Sequence, residues 1–217
     1  MIDIIKTFDK ASSFYDEWYE HPQGSQIFKA ELKAIESMIP ESGLGLEIGS
    51  GTGIFAEHLK NNYRTIICLD PSAEMLKKAL ERSLPCIISL GNRLPFRKNI
   101  FNFTYMVTVI EFLTEPENTI SEIKYANEGN LCILFINSDS SWGSFYQKIG
   151  WEGNLVFSKA RLYQLSEVVK ILDRGGYYIN YKIGTLTSQP MSSDIGAELI
   201  KPSDRAGVII INALEKE

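Results

Sequence analysis

A glycine-rich stretch near residue 50 has the composition of a ligand-binding turn. Residues 46–53 read L-E-I-G-S-G-T-G, so three glycines alternate with small polar residues after an apolar run. Glycine has no Cβ and tolerates positive φ, which allows a tight turn and a close approach of a ligand to the backbone. The apolar spacing over 54–59 predicts a helix directly after the turn. Because a helix N-terminus attracts negative charge, the stretch predicts a site for a small ligand with an anionic group.

Asp70 follows this turn by about twenty residues, at the end of a second apolar run. A carboxylate at this spacing can accept two hydrogen bonds from a ribose diol, which nucleotide and adenosyl ligands both present. The alternatives are an aspartate that caps the next helix, and a glycine turn that is purely structural. The third glycine of a dinucleotide fingerprint would stand at position 54, which is Ile54. A nicotinamide-dependent oxidoreductase is therefore disfavoured but stays as an alternative.

The composition is that of a globular protein, with 44% hydrophobic and 23% charged residues. The net charge of −5 argues against a nucleic-acid-binding surface, which is usually basic. No apolar run reaches the roughly 18–20 residues that span a bilayer, and the N-terminus lacks the apolar core of a secretory signal. The cysteines lie singly in apolar runs, as expected for reduced thiols in a cytoplasmic protein. Scattered histidines and the lack of a cysteine cluster predict no metal site.

Strand and helix patterns alternate through the middle of the chain. We predict strands over 44–48, 65–69, 86–90, 103–107 and 131–136, and helices over 54–61, 73–82 and 117–127. The strands are apolar throughout, which is typical of parallel strands buried on both faces. The alternation predicts a doubly wound α/β sheet with helices on both faces.

Less regular segments flank this core. Amphipathic patterns predict two helices over 2–20 and 25–38, separated by a break at 21–24. Residues 137–160 are rich in aromatic and polar side chains and do not follow the alternation. A helix over 162–174 and strands over 177–183 and 207–213 complete the prediction. Since no linker or repeat marks a second domain, we expect a single domain over 1–217 with a cofactor-binding core at 44–136.

The ligand site of an open α/β sheet lies at the carboxyl ends of its strands. The residues that follow the predicted strands are the glycine turn, Asp70, the groups 90–93 and 106–108, and the pair 137–138. Glu111 stands one helical turn beyond the fourth strand. We therefore expect these segments to converge on one site.

Four motifs in order carry a resemblance to a known family. They are L-E-I-G-S-G-T-G at 46–53, L-D-P-S at 69–72, L-P-F at 94–96 and F-N at 101–102. Together they resemble the class I S-adenosylmethionine-dependent methyltransferases over residues 44–136, closest to the type 11 branch that acts on small molecules and quinones. The resemblance implies a Rossmann-like sheet of seven strands, mostly parallel, with the last strand antiparallel and inserted beside strand five. It also implies S-adenosylmethionine as cofactor.

The resemblance assigns roles along the predicted site. The glycine turn would cradle the methionine end of the cofactor, Glu47 would set the loop and face the ammonium group, and Asp70 would hold the ribose hydroxyls. Pro71 and Met75 would lie near the adenine, Gly91 and Asn92 at its edge, and Met106 and Val107 along the methionine moiety. The implied cofactor-binding residues are Glu47, Gly49, Ser50, Gly51, Gly53, Asp70, Pro71, Met75, Gly91, Asn92, Met106 and Val107.

Three positions depart from the family pattern. Leu90 stands where many members carry an acidic residue that accepts from the adenine amino group, which leaves Asn92 as the candidate for that contact. Asn102 replaces the usual aspartate, and residues 111–112 are Glu-Phe where His-His is common. These departures leave the catalytic details open, so a cofactor-binding protein without catalytic activity stays as an alternative function.

Fewer residues support a prediction for the acceptor side of the site. Glu111 is the candidate general base; the alternative is a carboxylate in the first turn of a helix, stabilised by the dipole. Candidates for a lid and for substrate walls are Tyr15, Trp18 and Tyr19 in the N-terminal lid 1–40, and Trp142, Tyr146 and Trp151 in the substrate-side segment 137–217. The alternative for these aromatics is a hydrophobic cluster under a long loop. We predict a methyltransferase that acts on a small, fairly apolar acceptor.

Overall fold

The structure is a computed structural model that describes residues 2–216. Within these residues, seven strands form one sheet: β1 Gly43–Ile48, β2 Arg64–Asp70, β3 Cys86–Ile88, β4 Phe101–Val107, β5 Asn127–Ile136, β6 Tyr177–Thr185 and β7 Val208–Glu215. The helices are α1 Ile2–Ala11, α2 Glu17–Glu20, α3 Pro22–Glu36, α4 Ile54–Leu59, α5 Ala73–Glu81, α6 Pro116–Ala126, α7 Ser141–Trp151 and α8 Leu165–Arg174. Short 3₁₀ helices cover Ile110–Phe112 and Phe157–Lys159.

The strand order is β3-β2-β1-β4-β5-β7-β6. The first five strands pair in parallel, and β7 enters antiparallel between β5 and β6. This confirms the expected mostly parallel, seven-stranded sheet with an antiparallel last strand. The chain reverses its direction across the sheet between β1 and β4, which is the switch point where open α/β sheets bind ligands.

Hydrophobic layers cover both faces of the sheet. Helices α3, α4 and α5 bury side chains such as Ile35, Phe55 and Leu76 against one face. Helices α6 and α8 bury side chains such as Ile123 and Leu172 against the other. Because the central strands are covered twice, their apolar residues do not alternate with polar ones. None of the helices within residues 2–216 is both long and apolar enough to cross a membrane.

The N-terminal helices break at other places than the sequence predicts. The predicted helix over 2–20 is divided into α1 and α2, and α3 begins at Pro22, inside the predicted break. Proline suits the first helical position because its φ is already helical and it has no N–H to leave unpaired. His21 before it is extended, with ψ of 147°. Gly24 is needed within α3 because a Cβ would come 1.9 Å from the carbonyl oxygen of Trp18.

The segment 137–160, predicted to be irregular, contains α7. Ser140 caps this helix: its hydroxyl oxygen accepts from the N–H of Gly143 at 3.0 Å. Close backbone approaches require glycine inside it, since a Cβ on Gly143 would lie 2.3 Å from the carbonyl oxygen of Asn137. Glycine has a low helix propensity, so these packing glycines conceal the helix in the sequence.

Candidate active site

The glycine turn after β1 adopts a backbone conformation that favours glycine. The φ angle is +65° at Gly49, +55° at Gly51 and +75° at Gly53. A Cβ on Gly49 would lie 2.6 Å from Val109, whereas a Cβ on Gly51 would meet only the sulfur of Met75, at 3.9 Å. Packing therefore requires Gly49, and the backbone at Gly51 is left open to a ligand.

Asp70 ends β2 and ties the glycine turn to the start of α5. Its Oδ2 accepts from the N–H of Gly51 at 2.9 Å, and its Oδ1 accepts from the N–H of Ser72 at 2.8 Å. Burial raises the pKa of Asp70 to about 6, while the two amides act in the opposite direction. Ser72 in turn caps α5 by accepting from the N–H of Met75 at 3.1 Å. The carboxyl group is thus fixed at the carboxyl end of β2, next to the glycine turn that follows β1.

A cleft lies over the carboxyl ends of the strands. It is lined by eight of the twelve predicted cofactor-binding residues: Gly49, Gly51, Asp70, Pro71, Met75, Gly91, Asn92 and Val107. Because β3 already ends at Ile88, Gly91 and Asn92 lie in a turn at the edge of the cleft. The side-chain oxygen of Asn92 is buried and has no hydrogen-bond partner in the described part of the chain.

The other four predicted cofactor-binding residues do not line the cleft: Glu47, Ser50, Gly53 and Met106. Side chains alternate along a strand, so Glu47 points away from the sheet face of Ile48, which does line it. Burial raises the pKa of Glu47 to about 8, and its Oε2 has no partner among residues 2–216. Met106 is fully buried in the hydrophobic layer beneath α6 and α8. Contacts of these four residues with a cofactor stay predictions.

Helix α1, part of the predicted N-terminal lid 1–40, lies along the cleft. Its side chains Ile4, Ile5 and Phe8, and Tyr15 beyond it, form part of the cleft wall. Phe8 packs edge to face against Phe112, with ring centroids 5.1 Å apart. The three α1 residues were not among the predicted site residues, although the amphipathic pattern over 2–20 indicated a helix with one buried face.

Two aspartates fasten the lid to the elements that form the cleft. Asp9 accepts from the hydroxyl of Ser72 at 2.6 Å. Asp16 accepts from the hydroxyl of Thr52 at 2.6 Å and pairs with the guanidinium of Arg82 at 2.7 Å. Thr52 belongs to the glycine turn and Ser72 caps α5, so these contacts join the N-terminal segment to two elements that form the cleft.

The six aromatic lid and wall candidates have different environments. Tyr15 lines the cleft, and Tyr19 and Tyr146 pack in the hydrophobic layer beside it. Trp142 is only 1% exposed, and its Nε1 donates to the carbonyl oxygen of Ser188 at 2.7 Å. Trp142 therefore serves the core and not a substrate wall. Trp18 and Trp151 are 42% and 80% exposed and lie outside the cleft.

Glu111, the candidate base, lies in the 3₁₀ helix Ile110–Phe112 and not in the first turn of α6. It is 2% exposed, and its Oε1 accepts from the N–H of Ile136 at 2.7 Å. Its Oε2 is buried without a partner in the region from residue 2 to residue 216. Burial raises the pKa of Glu111 to about 7. This carboxyl group can therefore gain or lose a proton near neutral pH.

Glu31 is a buried carboxyl group that the sequence reasoning missed. It lies on α3 and is 6% exposed. Burial raises the pKa of Glu31 to about 8, and the nearby charge of Glu111 acts in the same direction. The sequence does indicate that this residue is buried, because Glu31 stands midway between Ile27 and Ile35 on the apolar stripe of the helix.

Comparisons with known proteins identify the family. A protein-family model for a methyltransferase domain matches residues 46–128. A crystal structure from Thermotoga maritima, described as an S-adenosylmethionine-dependent methyltransferase and possible histamine N-methyltransferase, is 25% identical in sequence. It superimposes with a TM-score of 0.87 over 98% of this chain and 100% of that one. The chain belongs to the class I S-adenosylmethionine-dependent methyltransferases.

This methyltransferase is also similar to two uncharacterised proteins. An uncharacterised protein of Methanocaldococcus jannaschii is 34% identical over 175 residues, which are 80% of this chain and 82% of that protein. An uncharacterised protein of Mycobacterium tuberculosis is 29% identical over 207 residues, which are 93% of this chain and 71% of that protein. The family uses S-adenosylmethionine as methyl donor, which decides against the nicotinamide alternative.

Proposed function

We propose that this methyltransferase transfers a methyl group from S-adenosylmethionine to a small-molecule acceptor inside the lidded cleft. The observation that carries the proposal is the position of α1, whose apolar side chains cover the cleft. A macromolecular acceptor would need an open face beside the cofactor. The Thermotoga maritima protein, described as a possible histamine N-methyltransferase, also points to a small acceptor.

The residues of the cleft fit S-adenosylmethionine. The open backbone at Gly51 would receive its methionine end, and the Asp70 carboxylate would accept from its ribose hydroxyls. The unpartnered oxygen of Asn92 would accept from the adenine amino group, in place of the acidic residue that Leu90 replaces. When bound, S-adenosylmethionine supplies an electrophilic methyl group on a sulfonium sulfur.

The chain would contribute mainly by holding the reactants and excluding water. Alignment of two reactants can supply ~7–11 kcal/mol of a reaction barrier. The lid suits this task because its apolar side chains Ile4, Ile5 and Phe8 replace water along the cleft wall. Its fastening by Asp9 and Asp16 would keep it in place during transfer.

Two measurements test the proposed function. Calorimetric titration should show binding of S-adenosylhomocysteine and none of NAD, with Asp70→Ala as a variant that loses the binding. Labelled S-adenosylmethionine, incubated with the enzyme and fractionated cell extract, should transfer its label to the low-mass fraction. Label found only in protein or RNA would refute a small acceptor. Binding of S-adenosylhomocysteine without transfer to any fraction would favour a cofactor-binding protein without catalytic activity.

A further inference from the structure

Arg82 contacts three separate parts of the chain that surround the cofactor cleft. It follows directly after α5, and its side chain is 19% exposed. Its guanidinium donates to Oδ2 of Asp16 at 2.7 Å, to Oε2 of Glu57 at 2.7 Å and to the carbonyl oxygen of Thr52 at 2.9 Å. One side chain on α5 thus joins the N-terminal segment, α4 and the glycine turn.

Asp16 completes this network from the N-terminal segment. Its Oδ1 accepts from the hydroxyl of Thr52 at 2.6 Å, so Asp16, Thr52 and Arg82 are each hydrogen-bonded to the other two. Asp16 is also the N-cap residue of α2, a position where an aspartate usually accepts from the backbone of the first helical turn. Its side chain makes no such capping hydrogen bond. The carboxylate therefore serves the contact with the glycine turn and not its own helix.

The network lies behind the wall of the cleft. Arg82, Asp16 and Thr52 do not line the cleft themselves. Their chain neighbours Tyr15 and Gly51 do line it, the first from the N-terminal segment and the second from the glycine turn. The network thus connects two parts of the cleft wall without occupying the space of a ligand.

The position of Arg82 depends on the shape of its side chain as well as on its charge. Thr52 is only 1% exposed, and a buried carbonyl oxygen that loses its hydrogen-bond partner is destabilising. The planar guanidinium presents several donors in a fixed geometry, so it reaches the carboxylates and this carbonyl together. A lysine carries a compact charge on a flexible stem and lacks that geometry.

We propose that Arg82 is a positioning residue for methyl transfer, which couples cofactor binding at the glycine turn to the position of the N-terminal segment 2–20. This inference rests on the proposed function, which places the methionine end of the cofactor at Gly51. A ligand that fixes the turn also fixes both oxygens of Thr52 that bond to Arg82 and Asp16. Coupling between two sites is reciprocal, so the docked N-terminal segment strengthens cofactor binding by the same factor.

Hydrogen exchange with and without S-adenosylhomocysteine tests the inference. In the wild-type protein, saturating ligand should slow the exchange of the α1 amides by roughly tenfold or more. Arg82→Gln should weaken binding of the ligand about tenfold, and the slowing in α1 should be lost even at saturation. Arg82→Lys should recover part of the stability lost in Arg82→Gln, because the charge near two carboxylates returns, but not the slowing in α1. A role in stability alone would not separate these two measurements.

Two further variants sharpen the test. Lys77→Gln is the matched control, because Lys77 is an exposed cation of α5 that pairs with Glu74 at 2.6 Å, and it should change neither affinity nor exchange. Adding Asp16→Asn to Arg82→Gln should weaken binding little beyond Arg82→Gln alone, because both changes remove the same link. If Arg82→Gln fails to fold, Arg82→Lys and Asp16→Asn measure the loss of slowing in its place.

The outcomes separate this inference from the proposed function. Unchanged ligand affinity in Arg82→Gln, or slowing in α1 that persists in both Arg82→Lys and Asp16→Asn, would overturn the coupling. So would a wild-type protein that binds S-adenosylhomocysteine without slower exchange in α1. Methyl label found only in protein or RNA, with the slowing intact, would refute the small acceptor and leave the coupling standing. Label in the low-mass fraction without any slowing would do the reverse.

Discussion

The pH dependence of cofactor affinity follows from the environment of Asp70. Its pKa of about 6 means that the carboxylate form, which accepts best from ribose hydroxyls, is only partly populated in mildly acidic solution. If only the charged form binds, the affinity falls in proportion to the ionised fraction, which is about one in eleven at pH 5 and nearly complete at pH 7.5. The affinity for S-adenosylhomocysteine should therefore rise about tenfold between these pH values. Calorimetric titration at several pH values across this range measures how the affinity changes with pH.

The variant Asp70→Asn isolates this contribution. An amide oxygen accepts less strongly than a carboxylate, by about 1–1.5 kcal/mol for each of two ribose hydrogen bonds. The affinity at pH 7.5 should fall by roughly 30- to 150-fold, and the dependence on pH between 5 and 7.5 should disappear. Asp9→Asn is the control, because the charge of Asp9 lies near Asp70 and raises its pKa. A tenfold slope that survives in Asp70→Asn, or that only Asp9→Asn abolishes, would refute the assignment.

The remaining predictions concern the lid, the glycine turn and the core. Asp16→Asn should weaken the ion pair with Arg82 that fastens the lid, a contact worth about 1 kcal/mol. Stopped-flow measurements should then show that S-adenosylhomocysteine dissociates roughly fivefold faster. An unchanged dissociation rate would contradict the role of this ion pair. Gly49→Ala should lower the free energy of unfolding by about 2 kcal/mol or more, because φ is +65° and Val109 leaves no room for a Cβ. Gly153 also has a positive φ but open surroundings, so Gly153→Ala should lower the free energy of unfolding by less in the same urea titration. Trp142→Phe should lower the free energy of unfolding by about 1–3 kcal/mol, because the hydrogen bond from its indole N–H is lost. The affinity for the cofactor should stay the same. A changed affinity would support the prediction that Trp142 forms part of a substrate wall.

Eight residues of the cleft could be predicted, because most of them lie within a few positions of strand ends. A buried parallel strand is continuously apolar, so the first polar or glycine residue after it marks the carboxyl edge of the sheet. Gly51 and Asp70 were placed in this way, and the structure joins them by a hydrogen bond of 2.9 Å. The resemblance to the family added the antiparallel insertion of β7, which no local pattern shows.

The buried carboxyl groups were harder to predict because they come from separate parts of the chain. Glu31 on α3 and Glu111 after β4 approach each other only through the packing of the fold. Trp142 and Tyr146 share one buried face of α7, with ring centroids 6.1 Å apart, and the glycines of α7 lower the helix propensity that would have predicted this face. Spacing along the sequence describes one element at a time, so a site built by several elements leaves little trace in it.

The insertion of β7 between β5 and β6 has a consequence for how the chain folds during synthesis. β6 pairs with β7 along its whole length and has no ladder with any other strand of the described chain. Until residues 208–215 have left the ribosome, β6 therefore has no partner, and the free edge of β5 stays open to other chains. Tyr178 and Tyr181 of β6 are 47% and 60% exposed, and these aromatic side chains would add to the tendency to associate with other chains during that interval. The chain is therefore most open to pairing with other chains late in its synthesis, when the parallel part of the sheet can already have formed.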